Sequence, residues 1–285
     1  MTRHRPSNGP APADDLERVR AVFEEIPSTV VAYSGGVDSA VVAAVAQRVL
    51  GERAVAITAA AETMAGHELD DARSLARTIG IRHTVITYSE LADPEFRRNP
   101  THRCYVCQGI RMDAMRRYAE DHGLTAVCDG TNASDPGPDR PGLKAIRERG
   151  VRSPLLEAGL EKAQVRSLAR HLGLEVWDRP SNACLSSRIP HSQVVTLGKL
   201  RRIERAEDLL RLESFQVLRV RHDGTAARVE VGVDEIERLQ DLWPRVEPKL
   251  LELGFSAARI DPRGYGSGGA NRRAALPLAT GRAAS

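Results

Sequence analysis

The segment from Val30 to Ser39 constrains the fold most, because an apolar strand pattern ends there in Ser-Gly-Gly-Val-Asp-Ser and an Ala/Val-rich helix pattern begins. The adjacent Gly35 and Gly36 allow a sharp turn and let the backbone approach a ligand without an intervening Cβ. The N–H groups of the loop and of the first helical turn would then point at an anion, helped by the positive end of the helix dipole. The segment predicts a phosphate-binding loop, with a plain Gly-Gly turn as the simpler alternative.

The polar residues of this loop narrow the kind of nucleotide site. Ser34 and Ser39 can add hydroxyl donors to a phosphate, whereas Asp38 would repel it unless Mg²⁺ lay between them or Asp38 served as a helix cap. No Gly-Lys-Ser/Thr and no Gly-x-Gly-x-x-Gly follows the strand, so the two commonest nucleotide loops are excluded. The segment resembles instead the pyrophosphate loop of the PP-loop (N-type) ATP pyrophosphatases, which adenylylate a substrate and release pyrophosphate.

Apolar strands alternate with amphipathic helices along the first two thirds of the chain, which predicts an α/β fold with a doubly wound, mostly parallel sheet. The predicted strands are 29–33, 54–58, 83–87 and 125–129, and the predicted helices are 38–50, 67–79, 105–122 and 161–172. Open α/β sheets bind ligands at the carboxyl ends of their strands. We therefore expect the backbone near Thr58 and Gly130 to border the nucleotide, although the polar segment 130–135 is equally typical of an Asx turn.

The 285 residues suffice for a large domain and a small one. We expect a PP-loop domain at 14–190, a small α+β domain at 191–265 for substrate binding or oligomerisation, and disordered tails at 1–13 and 266–285. In the small domain the predicted helices are 195–212 and 234–253, and the predicted strands are 216–221, 227–231 and 255–260. Beyond residue 190 the pattern of elements changes, which places the boundary there.

Net charge and composition do not by themselves indicate a macromolecular partner. The formal net charge is +3 and aromatic residues make up 4% of the chain, so neither a nucleic-acid groove nor a surface for acidic substrates follows from charge. No apolar stretch approaches the roughly 20 residues that cross a bilayer, and we expect a cytoplasmic protein without membrane contact. Four cysteines are too few and too unevenly spaced for a disulfide scaffold, so reduced thiols are expected.

Three cysteines are candidates for chemistry. Cys184 lies in an irregular segment between two prolines, and Arg188 nearby would lower its thiol pKa, although a small buried hydrophobe is an equal interpretation. Cys104 and Cys107 form a Cys-x-x-Cys pair at the start of a predicted helix, which can bind a metal, form a redox dithiol, or do neither. Cys184 is the obvious third ligand, whereas Cys128 on a predicted core strand is expected to pack.

Arg219 and Arg221 alternate on a predicted strand, so both side chains leave the same face. Paired guanidiniums can bind two phosphate oxygens, and an exposed strand face balanced by Glu230 or Glu213 is the equal alternative.

Four segments together resemble the ATP-dependent sacrificial sulfur transferase family, LarE. They are the PP-loop, Arg-Cys-Tyr-Val-Cys at 103–107, Asp-Gly-Thr-Asn at 129–132 and the cysteine loop at 180–190. The resemblance covers about residues 16–266. It implies an enzyme that adenylylates the carboxylates of pyridinium-3,5-biscarboxylic acid mononucleotide and converts them to thiocarboxylates for the nickel-pincer nucleotide cofactor. It also implies a homo-oligomer, with ring-like hexamers in the family.

The resemblance implies roles for the residues. Ser34, Gly35, Gly36 and Ser39 would hold the phosphates of ATP, Asp38 would meet Mg²⁺, and the backbone near Thr58 and Gly130 would border adenosine. In single-cysteine members the residue matching Cys184 gives up its sulfur and becomes dehydroalanine. Members with cysteines matching Cys104, Cys107 and Cys184 resemble enzymes that bind a [4Fe-4S] cluster, and we favour that version. Arg219 and Arg221 match the arginines that hold the substrate phosphate, and Arg188 supports the same pocket.

Three other functions remain open. A PP-loop enzyme that thiolates tRNA would need an RNA-binding surface, for which the sequence has no concentrated basic and aromatic patch. An amidotransferase-type synthetase would leave the three cysteines without a role. A non-catalytic nucleotide-binding or zinc-binding regulator would use the cysteines and a histidine as ligands.

Overall fold

The structure is a computed structural model that describes residues 11–135, 140–180, 183–215 and 217–266. The chain divides into two compact units, one ending at Cys184 and the other beginning at Leu185. Each unit has its own hydrophobic core. The predicted boundary at 190/191 lies a few residues further along the chain.

The first unit is built on a parallel four-stranded sheet in the order β3-β2-β1-β4. The strands are β1 Thr29–Ala32, β2 Ala54–Ala60, β3 Arg82–Thr87 and β4 Ala126–Cys128. Most residues of β1 and β2 are Val, Ala or Ile, and most are buried on both faces of the sheet, as is typical of parallel strands between helical layers. Because β2 and β4 flank β1 on opposite sides, the strand order reverses at β1, and the ends of β1 and β4 form a crevice.

Helices cover this sheet. They are α1 Pro12–Glu24, α2 Val37–Leu50, α3 Gly66–Ile79, α4 Pro94–Arg98, α5 Arg103–Asp121, α6 Pro141–Glu148, α7 Pro154–Glu157 and α8 Lys162–His171. α2 is apolar almost all round, with buried small residues along its length, so it is the core helix of the unit. α1, α3 and α8 pack against it. The phosphate-loop helix is therefore fixed on several sides.

The second unit is a small α+β fold. It contains α9 Leu197–Leu212, β5 Leu218–Asp223, β6 Ala226–Val231, α10 Ile236–Glu252 and β7 Ala258–Ile260. β5 and β6 are antiparallel, and β7 adds to β6 in parallel. The alternating residues Leu218, Val220, Val229 and Val231 join the apolar core. Arg219, Arg221, Arg228 and Glu230 alternate with them and carry buried charges.

The predicted fold class is confirmed. In the first unit all predicted strands and helices are present, with ends that differ by one or two residues. α1 was not predicted, and it begins at Pro12 inside the predicted tail. The remaining tail residues, 1–10 and 267–285, lie outside the described residues, as does Gln216 at the start of a predicted strand. Across the described ranges, no helix has both the length and the apolarity to cross a membrane.

The core of the second unit can be tested with two leucines of the same helix. Leu210 is 0% exposed and Leu212 is 85% exposed. We expect Leu210→Ala to lower the free energy of unfolding by about 2–5 kcal/mol because it leaves a cavity. Leu212→Ala should change it by less than about 0.5 kcal/mol. Denaturant unfolding measures both, and equal losses would contradict the described packing of α9.

Candidate functional site

The loop between β1 and α2 has a shape that only glycine permits. Gly35 has φ +76°, and a Cβ added there would lie 2.9 Å from the Cα of Ala72 on α3. Both the left-handed backbone and the close approach of α3 require glycine. Gly36 then serves as the N-cap of α2 and, since it has no side chain, leaves the first N–H groups of the helix uncapped. The first N–H groups of α2 have no intrahelical partner and are placed for an anion.

Two serines close this loop on itself. Ser34 Oγ and Ser39 Oγ lie 3.2 Å apart, and the Ser34 N–H donates to Ser39 Oγ at 3.2 Å. Ser39 Oγ donates to the carbonyl oxygen of Gly36 at 3.0 Å. The structure thus brings the predicted phosphate-loop residues together at the start of α2.

Asp38, the second residue of α2, is bound by groups from two other segments. Asn132 Nδ2 donates to Asp38 Oδ1 at 3.2 Å, and Lys162 Nζ lies 2.5 Å from Asp38 Oδ2. The sequence assigns the Asp38 carboxylate to Mg²⁺, and in the structure the Lys162 ammonium binds this carboxylate. The Asp38 side chain is 26% exposed. The residue therefore fits a cation-binding role. Lys162 was missed by sequence analysis, because 124 positions separate it from Asp38 and no local pattern links them.

The loop after β4 packs directly on the start of α2. A Cβ at Gly130 would lie 2.9 Å from the backbone nitrogen of Ser39, so glycine is required by this approach. The loop is anchored by the buried Asp129, which accepts from Thr131 Oγ1 at 2.5 Å and Ser153 Oγ at 2.6 Å. Burial raises the pKa of Asp129, and these hydrogen bonds oppose the rise. The predicted meeting of this loop with the phosphate loop is thus present.

Thr58 lies within β2 and is 1% exposed. Its hydroxyl donates to the carbonyl oxygen of Tyr33 at 2.9 Å and lies 2.8 Å from His83 Nε2. These contacts join the end of β1 to the interior of β2 and to the beginning of β3. The side chain thus ties the three strands together, and a contact of the nearby backbone with adenosine stays a prediction.

Cys107 is buried in a polar network at the start of α5. Its Sγ donates to Glu90 Oε1 at 2.8 Å, and Arg111 Nη2 donates to the sulfur at 3.5 Å. Burial raises the pKa of the Cys107 thiol more than the Arg111 guanidinium lowers it, and the nearby Glu90 and Cys184 add to the rise.

The other cysteines differ in exposure. Cys104 is exposed and lies one helical turn before Cys107, so the two share a face of α5. Cys184 is partly exposed, and all four cysteines are thiols. Cys128 is buried in β4 and accepts a hydrogen bond from Thr29 Oγ1 at 3.2 Å, as expected of a packing residue. In the part of the chain that the structure describes, no three His, Cys, Asp or Glu side chains converge as metal ligands.

The thiols of Cys104, Cys107 and Cys184 have the donor chemistry of an iron–sulfur cluster. Cys104 and Cys107 share a helix face, and the Cys107 thiol donates to Glu90, a hydrogen bond that would be lost if its thiolate bound iron. These three residues would hold a [4Fe-4S] cluster, and its presence stays a proposal.

In the second unit two of the three predicted arginines have carboxylate partners. Arg188 donates to both oxygens of the buried Glu207 at 2.9 Å. Arg221 donates to Glu230 Oε2 at 3.0 and 2.8 Å. The alternative of an exposed strand face is wrong, because Arg221 is 4% exposed, but Glu230 is indeed its partner.

Arg219 is the exception. It is 9% exposed, its Nη1 donates to the carbonyl oxygen of Leu218 at 2.7 Å, and its guanidinium lies over the Tyr265 ring. None of the described carboxylates lies within ion-pair distance of it. Burial and the nearby Arg188 guanidinium lower the pKa of Arg219, and the Glu207 carboxylate, which is paired with Arg188, opposes this only in part. A buried cation without a carboxylate of its own is a candidate anion site.

Comparisons with known proteins agree with this geometry. Residues 28–132 match the asparagine synthase family model, which covers the phosphate loop. The solved structure of NMN synthetase from Francisella tularensis superposes with a TM-score of 0.50 and 20% identity, covering 61% of this chain and 76% of that one. This likeness concerns the fold alone. Fold and loop together define a PP-loop enzyme that uses ATP.

Two full-length relatives narrow the class. An uncharacterised protein of Synechocystis sp. is 41% identical over 90% of this chain and 97% of its own length. The pyridinium-3,5-bisthiocarboxylic acid mononucleotide synthase of Lactiplantibacillus plantarum is 34% identical over 88% of this chain and 91% of its own length. The chain belongs to this LarE-type synthase family and is an ATP-dependent sulfur transferase.

Two glycines with nearly equal φ angles separate backbone strain from steric conflict at the phosphate loop. Gly80 has φ +78° and open space for a Cβ, whereas Gly35 does not. Gly80→Ala should cost about 1–2 kcal/mol of stability and leave MgATP binding unchanged. Gly35→Ala should also weaken MgATP binding about tenfold, because α3 forces the loop to move. Calorimetric titration measures the affinity, and equal affinity of the two variants would refute the described loop.

Proposed function

We propose that this enzyme adenylylates the carboxylates of pyridinium-3,5-biscarboxylic acid mononucleotide and converts them to thiocarboxylates for biosynthesis of the nickel-pincer nucleotide. The observation that carries the proposal is the phosphate loop with Asp38, found in a chain that aligns over nearly its whole length with a synthase of the bisthiocarboxylate. In the proposed reaction a substrate carboxylate oxygen attacks the α-phosphorus of ATP and pyrophosphate leaves. A sulfur nucleophile then attacks the acyl carbon and AMP leaves. When that nucleophile is the Cys184 thiolate, the product is a thioester, and β-elimination then removes the Cα proton of Cys184 and breaks its Cβ–Sγ bond, which leaves the thiocarboxylate and dehydroalanine.

The loop residues serve the first step. The open N–H groups at the start of α2, with the hydroxyls of Ser34 and Ser39, bind phosphate oxygens of MgATP. Asp38 meets the magnesium ion of this substrate directly or through water. The backbone near Gly130 borders the nucleotide, because it packs on the same helix turn. These groups stabilise the charge that develops on the departing pyrophosphate.

Arg219 binds the phosphate of the acceptor nucleotide. We assign the phosphate to Arg219 and not to Arg221, because Arg221 is already paired with Glu230. Arg219 donates to a carbonyl oxygen and lies over the Tyr265 ring. A phosphate on Arg219 would supply the missing negative charge and two acceptor oxygens. Arg221 and Arg188 then support the site by fixing the buried carboxylates around it.

Cys184 delivers the sulfur in the second step. Its partial exposure supports access of an activated acyl group, whereas Cys107 is buried and hydrogen-bonded to Glu90. The iron and sulfide content of the protein distinguishes two routes. In one, Cys184 gives up its own sulfur; in the other, Cys104, Cys107 and Cys184 would hold a [4Fe-4S] cluster that carries an added sulfide. Iron and acid-labile sulfide after anaerobic purification support the cluster. Loss of one H₂S from Cys184 after turnover supports the sacrificial route.

A cytoplasmic location and a homo-oligomer are proposed from the resemblance. The tRNA-thiolating and amidotransferase alternatives are less favoured, because the bisthiocarboxylate synthase aligns with nearly the whole chain. A non-catalytic zinc-binding regulator is less favoured, because the chain belongs to a family of synthases.

The two chemical steps can be separated with two variants. Cys184→Ala should abolish sulfur-bearing product but spare AMP and pyrophosphate formation, since the thiol acts after adenylylation. Asp38→Ala should lower the rates of adenylylation and of sulfur transfer by about 100-fold or more, because no carboxylate then holds the magnesium ion at the triphosphate. Product, AMP and pyrophosphate are measured after incubation with MgATP and the biscarboxylate nucleotide. Cys128→Ala, a change at a packing cysteine, is the control, and equal loss of both activities in the first two variants would refute this division.

The roles of the arginines can be separated in the same way. Arg219→Ala should raise the KM for the acceptor nucleotide about tenfold to a hundredfold, the loss expected for a charge-assisted contact, with little change in stability. Arg188→Ala leaves the buried Glu207 with the Val220 N–H at 3.0 Å and Arg211 at 3.4 Å, and should lower the free energy of unfolding by about 3–5 kcal/mol because the bidentate ion pair is lost. Steady-state kinetics and denaturant unfolding measure these effects. An unchanged KM in Arg219→Ala would exclude it as the phosphate site.

A further inference from the structure

We propose that Tyr265 is a positioning residue for the acceptor phosphate, because its ring holds the Arg219 guanidinium in place and leaves its charge uncancelled. The guanidinium carbon of Arg219 lies 5.4 Å from the centre of the Tyr265 ring. A cation at this distance over an aromatic face is attracted by the negative π-system. The inference rests on the proposed role of Arg219 and assigns to Tyr265 the task of keeping that cation available.

Arg219 differs from the other buried arginines of its sheet in how its charge is stabilised. Arg221 and Arg228 each form an ion pair with the buried Glu230. Arg219 instead donates one hydrogen bond to the carbonyl oxygen of Leu218 at 2.7 Å, and its Nε and Nη2 have no hydrogen-bond partner among the residues that the structure describes. A carboxylate would occupy these nitrogens and cancel the charge, whereas an aromatic ring does neither. Arg219 therefore keeps its charge and two nitrogens for an external anion.

The backbone that carries Tyr265 is fixed, so its ring is a defined platform. The Tyr265 N–H donates to the carbonyl oxygen of Val231 at 2.7 Å, and the Gly264 N–H donates to the carbonyl oxygen of Asp261 at 3.1 Å. Gly264 has φ +66°, and a Cβ added there would lie 3.0 Å from that Val231 oxygen and 2.9 Å from Val233 Cγ2. The left-handed backbone and the close approach both require glycine. The turn therefore delivers the ring to one place.

The charges around Arg219 explain why it needs such a platform. Burial and the nearby Arg188 guanidinium lower the pKa of Arg219, so its charged form is disfavoured where it lies. Glu207 favours the charged form, but both of its carboxylate oxygens accept from Arg188 at 2.9 Å. The Tyr265 ring favours the cation as well, and it does so without filling the guanidinium nitrogens. Without the ring the side chain is free to turn away, and its affinity for phosphate falls.

Packing alone is the competing role of Tyr265, which is partly exposed. A ring that only packs would affect stability and leave phosphate binding unchanged. The proposal instead predicts a loss of phosphate affinity that depends on Arg219. It also predicts that phenylalanine preserves the affinity, because phenylalanine keeps the aromatic face and lacks only the hydroxyl.

The experiment measures binding of ribose 5-phosphate to the full-length protein by following the phosphorus NMR signal of the ligand, with the phosphate loop saturated by α,β-methylene-ATP and Mg²⁺. Tyr265→Leu should weaken binding about threefold to thirtyfold, the range of a cation–π contact, and Tyr265→Phe should bind within about twofold of the wild type. Arg219→Ala should weaken binding about tenfold or more, and adding Tyr265→Leu to it should cause no further loss.

Tyr118→Leu is the matched control, because the Tyr118 ring stacks on His122 with 3.9 Å between ring centres. This variant should bind ribose 5-phosphate like the wild type. Thermal unfolding of every variant shows whether a change in binding accompanies a change in stability.

Four results would overturn the proposal. Equal weakening in Tyr265→Leu and Tyr265→Phe would assign the effect to the hydroxyl, and unchanged binding in Tyr265→Leu would leave the ring a packing role. A further loss in the double variant would mean that the ring acts independently of Arg219. Absence of binding to the wild type, or full binding to Arg219→Ala, would remove the phosphate site itself. Because the probe is not the acceptor, a wrong assignment of the pyridinium nucleotide shows up in the product assay and not here.

Discussion

The carboxylate of Asp38 is the point on which the ATP-binding half of the molecule depends. It stands at the start of the core helix α2, and the loop after β4 and the start of α8 each bring a polar group to it. The backbone of that loop also packs against the same helix turn. An anion site made only of helix N–H groups would bind many phosphates. A carboxylate and an ammonium beside it make the site suited to a triphosphate with its cation.

A second constraint acts in the C-terminal unit, where one sheet face carries buried charges. Each buried guanidinium there needs a carboxylate, because an unpaired charge out of water is costly. Glu207 serves Arg188, while Glu230 serves both Arg221 and Arg228. Arg219 is left without one among the described residues. The burial that stabilises the paired arginines is what makes Arg219 a candidate for an external anion.

The parts of this architecture that were predictable are local. The strand, glycine loop and helix at 30–39 follow from adjacent residues, and the alternation of apolar strands and helices predicts the parallel sheet. Contacts between distant segments were not predictable. Lys162 is 124 positions from Asp38, and no periodic pattern records the pairing of Arg188 with Glu207. α1 was missed although Pro12 at its first turn and two following acidic residues are ordinary start signals.

The central claim is that ATP activates a carboxylate by adenylylation, and isotope transfer tests it most directly. The biscarboxylate nucleotide is labelled with oxygen-18 in its carboxylates and incubated with MgATP and the enzyme, and AMP and pyrophosphate are examined by mass spectrometry. Attack of the carboxylate on the α-phosphorus, followed by displacement by sulfur, predicts one oxygen-18 in each AMP and none in pyrophosphate. Product formation with unlabelled AMP, or with label in phosphate released from the γ-position, would contradict the account.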